Sequence, residues 1–530
     1  MRGSSIFWDA LSQARRMNLA ASGEKPPVTG TPGQTRRAVL LALGATGLSA
    51  ALPRPLHAAP PKGPVAIIGG GIAGMTALWH LTKAGVDARV YEARPRLGGR
   101  IFTHHPAGGG PQNGVPLEIG GQLVNSDHAD MHALAKDFGV GLIDRKNGEY
   151  RAAILAGGAE LSPATLAEAL RPIAAQIGVD SDRLDKDYVG TARELDRLSI
   201  AAYLDLHADK LRQPWVRHLM EATSRTEYGV EPGQASAIEL VFNLPTVAGE
   251  RTEVLSRSDE RYLIEGGSGA LIAAMTAKLQ DRVETGKRLA RIEAHGAGVR
   301  LFFLDGTIVE AGAVIVAVPA PLMRTIDFRL PLSPLWRQFI QEVELGYNEK
   351  IQAVMTSRPW EATIGRGGEL WQTDPWAGAA LGWDGGIRPA EDAGSVWTWF
   401  LGGDEVTAAD AADPQALARH FAAMAEGGVP GFGAAMAGAV RRTAWHRDPL
   451  TLGAYVNFRP GQLTRFGELI WVEGADAPRH HALSGRIQFA GEHLSDAYPG
   501  YMNGGAQTGR LAAQAILARM PALERRLVHA

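Results

Sequence analysis

Cysteine is absent from the 530-residue chain. That excludes disulfides, thiolate nucleophiles, cysteine-ligated metals and a cofactor tethered through sulfur. A surplus of one charge is also missing. There are 54 Lys and Arg against 56 Asp and Glu, a formal net charge of −2. Nothing in that balance draws the chain toward nucleic acid. Neither an H-E-x-x-H metal spacing nor a G-x-S-x-G nucleophile elbow occurs. These absences do not make the chain disordered. At 45% hydrophobic and 21% charged residues it has an ordinary globular composition, with length enough for two substantial cores.

Residues 1–60 differ from the rest. S-G-E-K-P-P-V-T-G-T-P-G-Q-T, residues 22–35, has the composition of a flexible linker. Arg36-Arg37 then precede A-V-L-L-A-L-G-A-T-G-L-S-A-A-L, which Pro53 breaks and His57-Ala58-Ala59 closes. The apolar run is about 15 residues, short of the ~20 that span a bilayer, so no stable membrane anchor is expected. Paired arginines, a short apolar region and a small-residue end form a twin-arginine-type export signal. A periplasmic or exported protein is the expectation. The alternative is a retained extension on a cytoplasmic one. Before the arginines, S-I-F-W-D-A-L-S-Q-A-R-R-M has the pattern of a short amphipathic helix.

The strongest motif starts at Pro64. Val65 to Ile68 is a short apolar run, as in a buried parallel strand. Gly69, Gly71 and Gly74 then fit G-x-G-x-x-G. Ile72, Met75, Leu78 and Leu81 recur at helical spacing, Gly85 stands where a C-cap belongs, and a second strand from Val86 to Tyr91 ends at Glu92. A pyrophosphate approaches such a helix N-terminus, where free N–H groups and the helix dipole attract it. Side chains at the glycines would block that approach or the helix–strand packing, and the closing acid accepts from ribose hydroxyls. Downstream, Glu92-Ala93-Arg94 leads into Arg96-Leu97-Gly98-Gly99-Arg100. A second glycine pair between arginines suits a longer dinucleotide that needs extra counter-charge.

This stretch resembles the FAD-binding arm of the flavin-dependent amine oxidases, which include monoamine, polyamine and L-amino-acid oxidases. P-L-E-I-G-G-Q-L-V, residues 116–124, resembles the family's next segment. There Gly120 and Gly121 would pass beside the isoalloxazine ring. V-E-T-G-K-R-L-A-R-I-E-A resembles the strand at the adenine end, with Val283 as the implied contact. A-W-H-R-D-P-L-T-L-G-A-Y-V, residues 444–456, resembles a segment whose cysteine binds FAD covalently in mammalian monoamine oxidases. Ala454 stands at that cysteine's position, so noncovalent FAD is implied. P-G-Y-M-N-G-G-A resembles the family's S-G-Y-M-E-G-A. The resemblance makes Tyr455 and Tyr501 a pair of rings flanking the substrate path. It places Trp445 near the flavin, and Gly491, Glu492 and Met502 along the cofactor. His493 is read as a hydrogen-bonded loop residue rather than a base.

Lys350, in L-G-Y-N-E-K-I-Q-A-V-M, sits among apolar neighbours. A lysine there loses solvation unless its ammonium finds partners. By resemblance it bonds through a water to flavin N5; the alternative is a side chain snorkelling to the surface.

The implied fold is α/β, with a Rossmann-like FAD-binding domain of discontinuous segments and an inserted α+β substrate domain. Residues 1–60 are export signal and linker; 61–154, 257–334 and 439–530 build the FAD domain, and 155–256 and 335–438 the substrate domain. The tryptophans at 360, 371, 376, 383 and 397 read as core or pocket wall. The implied reaction oxidises an amine C–N bond to an imine, which water hydrolyses, while dioxygen reoxidises the flavin to give hydrogen peroxide. An L-amino-acid oxidase is the alternative. It needs an arginine for the substrate carboxylate, and the family's usual position reads Gly114-Val115-Pro116-Leu117 here, leaving Arg225 or another residue as a substitute. A dehydrogenase with a protein acceptor, a non-catalytic flavoprotein and a homodimer also stay open.

Overall fold

The structure is a computed structural model describing residues 5–23, 28–29, 63–105, 115–146, 150–242, 246–248, 251–253, 258–365, 367–373, 378–387, 395–473 and 486–520. The paired arginines, the apolar run after them and Trp376 lie outside the described residues.

Strand Val65–Ile68 is fully buried and leads through the glycine turn into helix Ile72–Lys83. It is central to a parallel five-stranded sheet, in the order Val283–Glu284, Ala88–Tyr91, Val65–Ile68, Ala313–Val316, Ile487–Phe489. The strands come from three distant stretches of sequence, as the discontinuous domain required. A hairpin joins Gly298–Phe303 to Ile308–Ala311 around Asp305-Gly306. Its turn is wider than the two residues that Asp-Gly suggests, because Phe303 N–H already bonds Thr307 O.

The substrate domain combines helices Pro163–Lys186, Tyr188–Asp196, Ile200–Leu206 and Pro214–Tyr228 with a seven-stranded mixed sheet. Two of that sheet's strands, Asn348–Met355 and Ser395–Gly402, are buried along their whole length. Both faces are covered, yet Asn348–Met355 buries the polar side chains of Asn348, Glu349, Lys350 and Gln352. Trp360, Trp371, Trp383 and Trp397 are all buried.

The amphipathic helix expected ahead of the arginines is present and packs on the rest of the chain. Ser5–Ala21 is a helix lying along Pro163–Lys186, with Ala10, Leu11 and Ala14 in the main core. Asn18 and Arg171 exchange two hydrogen bonds, each 2.9 Å, and Arg15 packs over Gly178. Val28–Thr29, inside the expected linker, pairs in parallel with Arg251–Glu253. The amphipathic pattern was legible; its docking partner lies some 150 residues away and gave no local signal. No helix among the described residues is long and apolar enough to cross a membrane.

Candidate active site

One cavity opens at the carboxyl ends of the parallel strands, through Gly69, Glu92 and Ala317, and extends to the seven-stranded sheet, through Lys350, Trp383 and Phe400. Ligands of open α/β sheets sit at such strand ends.

Gly71 begins helix Ile72–Lys83 without a side-chain cap. A Cβ on Gly71 would meet no protein atom and would project into free space, whereas one on Gly74 would strike the carbonyl of Gly69. The first glycine keeps room beside the helix N-terminus; the other permits helix–strand contact. Glu92 accepts backbone N–H bonds from Gly70 and Arg94, both 2.7 Å, so the loop is folded around its carboxylate. Arg94 and Arg100 both line the cavity, and each is already paired. Arg94 meets Asp448 at 2.6 Å and Thr451 at 2.8 Å. Arg100 meets Glu492 at 2.8 Å and the Ala454 carbonyl at 2.5 Å.

At the other end, Lys350 is buried in its strand and does not snorkel. Its ammonium donates to the carbonyls of Glu118 at 3.0 Å and Gly120 at 2.8 Å, and to Gln122 Oε1 at 3.3 Å. Trp445 Nε1 donates to the intervening carbonyl, Ile119 O, at 3.0 Å. Lysine and tryptophan together hold the glycine loop flat against the cavity. Burial pushes the Lys350 ammonium down, partly opposed by the Glu118 charge, and pushes the Glu118 carboxyl up. Gly121 is pressed by Met502, whose Cγ would lie 2.9 Å from an added Cβ. Gly120 has no room at all, because a Cβ would run into Arg100 O.

Tyr455 and Tyr501 are both buried and line the cavity. Tyr455 donates its hydroxyl to Thr226 O, and burial raises its phenol well above the ordinary value. Gly500, at φ 85°, lies against the Tyr455 ring, with 3.4 Å from an added Cβ to Cδ2. Helix Met502–Leu517 starts directly after Tyr501, so Met502 and Gly505 present its N-terminus to the cavity.

The family model for flavin-containing amine oxidoreductases matches residues 72–517. The chain belongs to that family. AofH of Mycobacterium tuberculosis is 27% identical over 310 residues, 56% of this chain and 66% of that protein. Nicotine dehydrogenase of Pseudomonas putida is 24% identical over 490 residues, 89% of this chain and 93% of its own. The solved cyclohexylamine oxidase of Brevibacterium oxydans superposes with a TM-score of 0.72 at 23% identity, covering 86% of this chain and 99% of its own. As an amine oxidoreductase of this family the protein uses FAD to oxidise amines.

The residues present fit FAD. Gly69, Gly71 and the Ile72–Lys83 N-terminus would take the pyrophosphate, and Glu92 would take ribose hydroxyls with its remaining lone pairs. Gly99, Gly120, Gly121, Gly491 and Met502 line the same space. Glu492 also lines it, and its carboxylate is spent on Arg100 and the Gly500 N–H at 2.8 Å.

Three expectations are corrected in this amine oxidoreductase. Val283 pairs with Val90 at the sheet edge and lines a separate cavity; Lys287, Arg288 and Leu289 line the nucleotide end instead. His493 is buried with neither ring nitrogen hydrogen-bonded among the described residues, and burial pushes it down to about 4. Arg225 is no carboxylate clamp, because Glu231 holds it through contacts of 2.8–3.0 Å. Trp383, read as core or pocket wall, does line the cavity, whereas the sequence reading passed over Gln122, Asn348, Phe400 and Thr443 on the same wall. Gln122 directly follows the flavin-side glycine pair, and that adjacency could have flagged it. The others reach the cavity only through strand pairing, such as Leu381 with Phe400.

Proposed function

We propose that the substrate is an apolar amine with a single ionisable group, and that dioxygen is the electron acceptor, giving hydrogen peroxide. One observation carries the substrate reading. The ring end of the cavity is walled by Trp383, Phe400, Trp445, Tyr455 and Tyr501. The lining arginines Arg94, Arg100 and Arg288 belong to the nucleotide end, and the Lys350 ammonium is taken up by protein oxygens. An amino-acid carboxylate would lose its water without a cation to meet it. FAD is held noncovalently in this reading, since Ala454 lines the cavity and the chain has no cysteine.

Bound FAD supplies the two-electron acceptor. The protein's part is to bind and orient. The two tyrosine faces attract the partial positive charge at nitrogen, and the aromatic wall excludes water. Trp445 and Lys350 fix the loop against which the substrate carbon is presented. Export through the paired arginines remains part of the proposal, supported by the sequence at residues 36–59.

The test is anaerobic bleaching of the bound flavin by a panel of arylalkyl and cycloalkyl amines, diamines and L-amino acids. Fast bleaching confined to the first two classes is expected. Faster bleaching by L-amino acids would overturn the reading. Turnover in air with peroxide detection, against turnover with a dye under nitrogen, decides the acceptor.

A further inference from the structure

Behind Tyr501 lies a histidine that the chemistry above does not use. His128 is buried completely, at the start of helix Ala129–Asp137. Its ring centroid is 5.0 Å from that of Tyr501, with the planes at 69°, and 5.3 Å from that of Tyr498, at 88°. Its Nδ1 accepts the backbone N–H of Asn125 at 3.0 Å. A backbone N–H can only donate, so Nδ1 carries no proton and the neutral ring is protonated at Nε2. Burial keeps the ring neutral, pushing it down to about 3. Nε2–H has no hydrogen-bond acceptor among the described residues. The rings of Tyr501 and Tyr498 stand T-shaped to it and are its aromatic neighbours.

The hub behind this histidine is rigid. Asn125 is itself buried, and each of its polar groups is engaged. Its carbonyl meets His132 Nε2 at 2.9 Å, its Oδ1 accepts from Glu260 N at 3.0 Å, and its Nδ2 reaches Ser258 Oγ at 3.4 Å. The same segment grips the turn that carries Tyr501. Tyr498 donates its hydroxyl to Asp127 O at 3.0 Å, and Asn503 Oδ1 accepts from Met131 N at 3.0 Å.

We infer that His128 is a positioning residue for the amine-binding pair: anchored on Asn125, it sets the plane of the Tyr501 ring from behind. This rests on the amine-binding reading of Tyr501, and the test separates the two. His128 touches neither substrate nor cofactor site; it acts through Tyr501.

The variant is His128→Phe in the FAD-loaded enzyme, which keeps a ring and removes both nitrogens. Two readouts matter. The first is the Tyr501 ring orientation in crystal structures of the parent and variant proteins. The second is calorimetric binding of a tert-alkyl amine, which has no α C–H to lose. A rotated Tyr501 ring and binding weakened about tenfold, the scale of one lost cation–π contact, are expected. The flavin midpoint potential, which a general loosening of the cofactor site would move, stays at the parent value. His128→Gln, which keeps an N–H at a similar reach, restores most of the binding. An unmoved Tyr501 ring in His128→Phe overturns the inference. So does failure of His128→Phe to take up flavin, since His128 would then be a folding residue. Failure of the parent enzyme to bind the amine instead strikes the substrate reading, while the ring comparison still decides the role of His128.

Discussion

Single side chains in this site hold backbone more than they face ligand. Lys350 shows it best. Its ammonium binds carbonyls on either side of Ile119, and Trp445 binds Ile119 itself. Lys350→Met should therefore do two things. It should leave the carbonyls of Glu118 and Gly120 without their buried donor, a penalty of about 1–3 kcal/mol for each group not re-satisfied by water. It should also retain FAD while slowing turnover or flavin reoxidation markedly, as stopped-flow traces would show. Parent-like rates would remove Lys350 from the chemistry. Asn503 also has a backbone task. It caps Met131 N–H, one of the first-turn donors that a helix cannot satisfy for itself.

Elements differ in how plainly the sequence announces them. The glycine turn before helix Ile72–Lys83 is local: strand, turn, helix and Glu92 follow one another within one short stretch. So are the Gly120-Gly121 pair and the start of Met502–Leu517, because close approach demands small residues where it happens. Glycines of one motif still divide their work, and a paired substitution reads it out. Gly71→Ala should fold with an unchanged thermal midpoint in the flavin-free protein and bind FAD more weakly, since its methyl meets only the cavity. Gly74→Ala should lose stability with or without flavin, because its methyl strikes Gly69 O. Equal behaviour of the two would contradict this division. The part of the wall that comes from the seven-stranded sheet was less legible, with Phe400 missed and Trp383 read only as core or pocket wall. Trp383 pairs with Glu369 on one side and Thr398 on the other, and only that register turns it toward Lys350, 5.7 Å from ammonium to ring. Val283 misled for a related reason. It is a real strand residue, and the chain must run on to Lys287 before it crosses the cavity mouth.

Across the whole molecule, two buried histidines tie stability to acidity. His128 is held down to about 3 and His493 to about 4, both by burial. An unfolded histidine takes up its proton near pH 6.5. Below that pH the unfolded chain binds protons that the folded chain refuses until pH 4 or 3. The contribution of these two groups therefore falls as pH drops through this window, while the buried carboxyls of Glu118, Glu260 and Glu405, each pushed up to about 7 by burial, act with the opposite sign. The test is differential: relative to the parent, His493→Gln should gain thermal midpoint between pH 7.5 and 4.5, changing the slope. An identical slope in that variant would exclude His493 as a source.

The docked helix Ser5–Ala21 changes what processing would leave behind. An export leader normally departs once cut. Here the segment ahead of the paired arginines is bonded to Arg171, packed over Gly178 and counted into the main core. A cut after the small-residue stretch near Ala58 would sever a covalent link and spare these contacts. The product would be a nicked, two-piece enzyme that carries its own first helix as a resident peptide. Native mass spectrometry would weigh the two pieces together, and denaturing mass spectrometry would weigh them apart.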